Sequence, residues 1–242
     1  MDGAAARAVQ AAPGALPGAS GPEAAADGGG ARSKSGPSFD AGFRAQLHDL
    51  FRWRRDIRHF RRDALPEGVL GDLIAAAGLA PSVGLSQPWR FVRVDDPVRR
   101  AAVRASFAAS NAAALAGQAR RAGDYARLKL AGLDEAPCHL AVFADPDPAQ
   151  GGGLGRQTMP ETVAYSAVMA VHTLWLAARA AGVGLGWVSI LEPGRVQAAL
   201  DVPAGWTFIG YFCLGYPATE DDAPELQREG WEHRHAPEVL RR

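Results

Sequence analysis

The chain has 242 residues, 48% of them hydrophobic, and its 26 basic and 26 acidic side chains give a formal net charge of zero. A balanced charge argues against a general nucleic-acid-binding protein, because such proteins carry a basic excess that neutralises phosphates. Neither a signal peptide nor a membrane span is evident, so a soluble cytoplasmic protein is predicted. The two cysteines, Cys138 and Cys213, lie in apolar strand-like runs that predict buried thiols, and no Cys/His cluster has metal-ligand spacing.

Residues 1–37 are rich in Ala, Gly, Pro and Ser and nearly lack large apolar side chains. Such a segment buries too little surface to offset its ordering entropy, so a disordered tail is predicted. The next element is an amphipathic helix over residues 39–53, because apolar residues recur there at helical spacing. These apolar positions are Phe39, Phe43, Leu47, Leu50 and Phe51.

A charged run follows this helix, and residues 54–60 read RRDIRHF. Arginine side chains bind phosphate in a bidentate manner and keep their positive charge at physiological pH. The single carboxylate among them, Asp56, is therefore either a counter-ion or a catalytic group. Taken alone, an Arg-rich run is more often a solvated helix end with local ion pairs.

Pro66 is predicted to begin a second helix at its first turn, and this helix runs over residues 68–77. The loop at residues 81–89 reads PSVGLSQPW and leads to a strand. Its side chains Ser82 and Gln87 offer neutral hydrogen bonds that suit a sugar-like chain or the edge of a heterocycle. The alternative is that the loop only connects the helix to the strand.

Residues 97–130 are Ala-rich and predicted to be helical, with breaks near Gly117 and Gly123. Small side chains bury little surface each, so the region suits a mobile cover, or lid, over a pocket. An ordinary surface helical hairpin has the same composition. The apolar run at residues 138–144 predicts a buried strand in which His139 is a hydrogen-bonded strand residue and not a metal ligand.

A second long helix is predicted over residues 161–180, and it is apolar nearly all round. It must therefore be enclosed, either by a large core or by a second subunit. Thr158 and Glu161 have the spacing of a capping box at its start.

Three glycines at alternate positions precede a strand predicted over residues 187–191: Gly182, Gly184 and Gly186. We expect them to let backbone N–H groups approach a flat ligand without Cβ clashes. The pattern is not GxGxxG after a strand, which disfavours a Rossmann dinucleotide fold. A short helix over residues 193–200, a long central strand over residues 207–217 and a polar tail complete the chain.

Six segments, taken in order, resemble the 5,6-dimethylbenzimidazole synthase branch of the nitroreductase-like flavoprotein superfamily over residues 40–235. They read RRDIRHF, PSVGLSQPWRF, YARLKLAGLDEAP, GRQTMPET, WLAARAAGVGLGWVSIL and LGYP…PELQREGWEHR. The arginine run and the Pro-Ser loop are typical of the whole superfamily. GRQTMPET, GWVSIL and the GWE-x-R ending are typical of the synthase branch.

The resemblance implies an α+β, nitroreductase-like fold over residues 38–242, with a mixed, mainly antiparallel sheet flanked by helices. It implies an intertwined homodimer with FMN at the subunit interface. Members of this branch consume reduced FMN and dioxygen, without a metal, and release 5,6-dimethylbenzimidazole, the lower ligand of vitamin B12, and erythrose 4-phosphate. FMN is then a substrate, and a flavin reductase or NAD(P)H is expected to supply its electrons.

The resemblance also implies site residues, and residues 54–58 are expected to contact FMN as a unit. Arg54, Arg58 and Arg234 suit the phosphate, and Arg55 suits the pyrimidine side of the ring. The other expected contacts are Ile57, Ser82, Gln87, Gly186 and Trp187. Asp56 is the predicted catalytic carboxylate and acts as a base. Ser189 is the second catalytic candidate, a hydroxyl placed to hydrogen-bond an oxidised flavin intermediate, and its alternative is a plain strand serine.

Two other functions share part of this pattern. An FMN-retaining, NAD(P)H-dependent nitroreductase would have the same arginine run and interface flavin, but it would purify yellow and oxidise NAD(P)H rapidly. A non-catalytic flavin-binding protein would bind FMN and need neither Asp56 nor Ser189.

Overall fold

The structure is a computed structural model that describes residues 36–116 and 131–242. Its helices are α1 Ala41–Trp53, α2 Val69–Ala77, α3 Pro97–Ala116, α4 Thr162–Ala180, α5 Pro193–Leu200 and α6 Glu225–Arg228. Its strands are β1 Trp89–Arg93, β2 Cys138–Ala144, β3 Gly184–Val188 and β4 Thr207–Gly215, and a short 3-10 helix covers Val83–Leu85. Within the described ranges, no helix combines the length and the hydropathy that crossing a membrane requires.

The four strands form an antiparallel sheet in the order β1-β2-β4-β3. Every residue of β2 is buried, as its apolar run predicted. The chain that leaves α1 then adds to the outer edge of β3, where Asp56 forms a parallel bridge with Leu185. The Ile57 N–H donates to the Leu185 carbonyl at 3.0 Å. The sheet is therefore antiparallel with one short parallel addition, and that addition is the arginine run.

Successive strand residues point to opposite sides of the sheet, so the buried strands present apolar side chains on both faces. Helices cover both of these faces. Leu140 and Phe212 pack with α2 and α4, whereas Ala141 and Tyr211 pack with α3 and α5. This α+β arrangement agrees with the fold that the resemblance implied.

The buried polar groups of the central strands are hydrogen-bonded. His139 Nδ1 lies 2.8 Å from the Tyr211 hydroxyl, and its Nε2 lies 3.2 Å from the Ala136 carbonyl oxygen. The prediction of a satisfied strand histidine is thus confirmed. Cys138 and Cys213 are both buried free thiols, also as predicted.

Two helices keep apolar side chains outside the core of the single chain. On α4, Tyr165, Val168 and Met169 remain 56%, 38% and 44% exposed, although the opposite face of the helix is buried. On α1 no residue is buried, and Phe43 and Phe51 are exposed. The described core of one chain therefore leaves part of α4 uncovered, and enclosure by a second subunit stays a prediction.

Two predicted helix starts are wrong. Gly68 has a φ of 89°, which is not helical, so α2 begins at Val69 and Pro66 lies before the helix and not in its first turn. The capping box of Thr158 and Glu161 does not form. Glu161 is itself the residue before α4 and makes no side-chain cap hydrogen bond, because the helix starts four residues after Thr158 and the motif is out of register.

Two predicted segments fall on residues that the structure does not describe. Residues 1–35, which make up most of the predicted tail, lie outside the described ranges, and so do residues 117–130 of the predicted lid. The first half of that lid is α3, which buries Val103 and Phe107 completely. The lid role stays a prediction.

Candidate active site

The arginine run lies against β3 because of a glycine in that strand. The Arg54 N–H still donates to the Leu50 carbonyl, and the backbone then becomes extended. A Cβ built on Gly186 would overlap the Ile57 carbonyl oxygen and lie 3.2 Å from the Ile57 carbonyl carbon. The space on the Cβ side of Gly186 is thus filled by the chain's own arginine run, so the missing side chain serves this packing. Contact of the Gly186 backbone with a flat ligand stays a prediction.

Trp175, a buried residue of α4, positions the first two arginines. Its indole N–H donates to the Arg55 carbonyl at 3.0 Å. Its ring lies 4.9 Å from the guanidinium carbon of Arg54, which is within the range of a cation–π contact. The core helix therefore fixes both the backbone and one side chain of the run.

Contacts with Trp187 and Arg58 orient the Asp56 carboxylate. One oxygen, Oδ1, accepts a hydrogen bond of 2.8 Å from the Trp187 N–H. The other, Oδ2, lies 3.5 Å from Nη2 of Arg58. The Asp56 side chain is 30% exposed while that of Arg58 is 3% exposed, so the carboxylate is reachable and the guanidinium is covered. An oriented and accessible carboxylate can accept a proton from a bound molecule.

The segment after β4 forms the opposite wall of the site. Arg55 Nε donates to the Asp222 carbonyl at 3.0 Å, and Arg58 Nη1 lies 3.4 Å from Glu225 Oε2. Sequence reasoning missed this wall. The acidic stretch TEDDAPE at residues 219–225 was the available signal, since a run of carboxylates can supply the counter-charges of an arginine run.

Between these walls is a cavity of about 200 Å³. Its described lining contains five arginines and three carboxylates, so positive charge is in excess. The arginines are Arg54, Arg55, Arg58, Arg228 and Arg234, and the acids are Asp56, Asp221 and Glu225. A larger groove of about 1,020 Å³ lies between α2 and strands β1 and β2, but none of the predicted site residues lines it.

The arginines of this cavity are crowded. Burial lowers the pKa of Arg54, and the nearby charge of Arg234 lowers it further, while Asp56 acts in the opposite direction. Burial, Arg234 and Arg54 together lower the pKa of Arg55. Arginine stays protonated under such shifts, so a bound anion would offset the repulsion that the neighbouring acids leave.

The family model for the nitroreductase family matches residues 51–216. The chain belongs to the nitroreductase family. The 5,6-dimethylbenzimidazole synthase of Rhodospirillum rubrum is 58% identical over 210 residues, which cover 86% of this chain and 100% of that protein. A 5,6-dimethylbenzimidazole synthase of Rhodobacter capsulatus is 49% identical over 206 residues, covering 85% of this chain and 100% of that protein.

A solved structure shares the nitroreductase fold. The crystal structure of oxidized iodotyrosine deiodinase bound to FMN and 3-iodo-L-tyrosine superposes with a TM-score of 0.63 at 23% identity. The superposition covers 81% of this chain and 97% of that one. At this identity the likeness concerns the scaffold alone.

In this member of the nitroreductase family, the predicted site residues fall into two groups. Residues 54–58 and Arg234 line one cavity, and Trp187 contributes its backbone N–H beside it. Ser82 and Gln87 do not line it. They lie in a separate loop, where the Ser82 hydroxyl accepts a hydrogen bond from the Gln87 N–H at 3.1 Å. Ser189 is exposed just beyond the end of β3 and is not among the lining residues either.

Proposed function

We propose that this member of the nitroreductase family is a 5,6-dimethylbenzimidazole synthase, which uses dioxygen to fragment reduced FMN into 5,6-dimethylbenzimidazole and erythrose 4-phosphate. The observation that carries the proposal is the 58% identity to the synthase of R. rubrum over that protein's whole length. An arginine-lined cavity that contains one accessible, oriented carboxylate supports it.

The cavity fits the phosphate end of FMN. Its excess of positive charge and the mutual repulsion of Arg54, Arg55 and Arg234 favour a phosphate dianion. Its volume of about 200 Å³ is below the roughly 300–1,000 Å³ of pockets that enclose a drug-sized ligand. This cavity alone is therefore too small for a whole flavin nucleotide.

The remainder of the site is proposed to come from a second copy of the chain. The exposed apolar faces of α1 and α4 are the kind of surface that a partner covers. In such a homodimer, the Ser82–Gln87 loop and Ser189 would complete the slot for the ring. Sedimentation equilibrium on the wild type and on a Val168→Arg variant tests this, and a monomeric wild type that binds FMN would contradict it.

The bound reduced flavin supplies both the electrons for dioxygen and the atoms of the products. The residues of the chain bind, orient and move protons around it. Arg54, Arg58 and Arg234 hold the phosphate end, and Arg55 contacts the pyrimidine side of the ring. Asp56, aligned by the Trp187 N–H, accepts a proton through its partly exposed carboxylate. The 97–130 region is proposed to exclude water while this occurs. Limited proteolysis with and without FMN tests that lid, and unchanged cleavage would count against it.

The deciding experiment loads the protein with reduced FMN anaerobically, admits air and separates the products by chromatography. The synthase releases 5,6-dimethylbenzimidazole in proportion to the flavin lost. An FMN-retaining nitroreductase would return the flavin intact and oxidise NAD(P)H, whereas a flavin-binding protein would return the flavin intact without oxidising NAD(P)H. Adding NAD(P)H with or without a flavin reductase identifies the electron source.

A further inference from the structure

Arg58 is the most deeply buried charge of the candidate site. Its side chain is 3% exposed and lies between two carboxylates, Asp56 and Glu225. Arg58 Nη2 is 3.5 Å from Asp56 Oδ2, and its Nη1 is 3.4 Å from Glu225 Oε2. Both contacts are ion pairs that are longer than the roughly 2.7–2.9 Å of a direct charged hydrogen bond, so the two acids share the guanidinium charge.

This sharing matters because Asp56 is the proposed proton acceptor. A buried guanidinium is costly unless carboxylates pair with it, so Arg58 seeks the closest contact available. If the Glu225 charge were removed, Arg58 would be drawn toward the Asp56 carboxylate. A direct, short pair would then occupy Oδ2 and would make Asp56 a poorer proton acceptor.

Glu225 itself is held in place by its neighbours. It is the first residue of α6, and the Asp222 carbonyl that precedes this helix accepts from Arg55. An ion pair of 3.2 Å between Arg228 and Asp221 connects the far end of α6 to the same segment. The Glu225 side chain is 21% exposed, so it lines the cavity without being free to swing into solvent.

We propose that Glu225 is a positioning residue that acts through Arg58: it keeps the guanidinium between the two acids and so leaves Asp56 available to the substrate. The proposal rests on the proposed synthase function. Glu225 need not touch FMN, and its removal makes the cavity more positive, which favours a phosphate. The proposal therefore predicts that loss of the Glu225 charge lowers kcat and leaves the Kd for FMN unchanged. A role of Glu225 in phosphate binding or in folding would change the Kd as well.

The test compares Glu225→Gln, Glu225→Asp and the wild type. Glu225→Gln should lower kcat for 5,6-dimethylbenzimidazole formation by about tenfold. The Kd for oxidised FMN, measured by quenching of flavin fluorescence, should stay within about twofold of wild type or become lower. Glu225→Asp keeps the charge on a shorter side chain and should give an intermediate kcat at the same Kd. Glu229→Gln is the matched control, since the same change falls on an exposed residue next to α6 that does not line the cavity.

The outcomes separate this inference from the function on which it rests. If the wild type forms no 5,6-dimethylbenzimidazole, the proposed function fails. If the wild type forms it but both Glu225 variants match its kcat, or lose FMN affinity in step with kcat, the positioning role is overturned while the function stands. If Glu225→Gln does not fold, Glu225→Asp decides alone: a lower kcat at unchanged Kd supports the role, and an unchanged kcat overturns it.

Discussion

Replacing Asp56 with Asn isolates the charge of the proposed catalytic carboxylate, because the two side chains have the same shape. The amide oxygen of Asn can still accept the 2.8 Å hydrogen bond from the Trp187 N–H, so the side chain should keep its orientation. The amide nitrogen would then face Arg58 Nη2 across the present 3.5 Å, donor against donor. The contact of Arg58 with Glu225 is retained, so we expect a loss of stability of only about 1–2 kcal/mol.

The effect on catalysis should be larger than the effect on binding. Loss of one negative charge makes the cavity more positive, so the Kd for FMN should not rise. Product formation in a single turnover, started by admitting air to protein loaded with reduced FMN, should fall at least about tenfold, or about 1.4 kcal/mol in the barrier. Asp63→Asn is the control, because Asp63 is an exposed acid paired with Arg61 outside the cavity. An Asp56→Asn protein that forms product at the wild-type rate would refute the assignment.

Two further predictions concern the framework of the site. Gly186→Ala would place a methyl group against the Ile57 carbonyl and push the arginine run off β3. We therefore expect the free energy of unfolding by denaturant to fall by about 2–4 kcal/mol and FMN binding to weaken. The control Gly71→Ala lies in open space on α2 and should be neutral or slightly stabilising. Unaltered FMN affinity in Gly186→Ala would show that the run does not depend on this contact. Burial lowers the pKa of His139 to about 4. The stabilising contribution of neutral His139 is therefore complete above pH 6.5 and is lost as the pH falls toward 4. Between pH 7 and pH 4.5 the free energy of unfolding should fall in both proteins. The fall should be about 2–3 kcal/mol larger in the wild type than in His139→Gln. Equal pH dependence of the two proteins would contradict this account.

The sequence predicts well those parts of the fold that depend on local periodicity. The apolar run of β2 and the apolar stripes of α1, α2 and α4 locate the elements to within a few residues. Because α1 ends where the arginine run begins, the placement of residues 54–58 at the end of a helix follows from the pattern alone. The capping box failed for a related reason, since spacing identifies a motif but not the turn at which a helix begins.

The parts that could not be predicted are contacts between distant segments. The acidic wall meets the arginine run across a separation of 167 residues between Arg55 and Asp222, and no local pattern encodes such a pairing. The glycines of β3 illustrate the same limit. A glycine indicates that something comes close to the backbone, and only the packing reveals that Ile57 lies on the Cβ side of Gly186.

The orientation of Asp56 depends on the hydrophobic core as much as on the arginines. The N–H that aligns its carboxylate belongs to Trp187, whose ring packs 5.0 Å from that of Phe212 and 6.4 Å from that of Trp175. Gly210 of β4 makes room for the same ring, since a Cβ there would overlap the indole nitrogen. Trp175 in turn holds the backbone of the arginine run. The carboxylate and the arginines are therefore positioned by one aromatic cluster. A change in that cluster should disturb catalysis and phosphate binding together. A change at Asp56 should lower catalysis and leave phosphate binding intact.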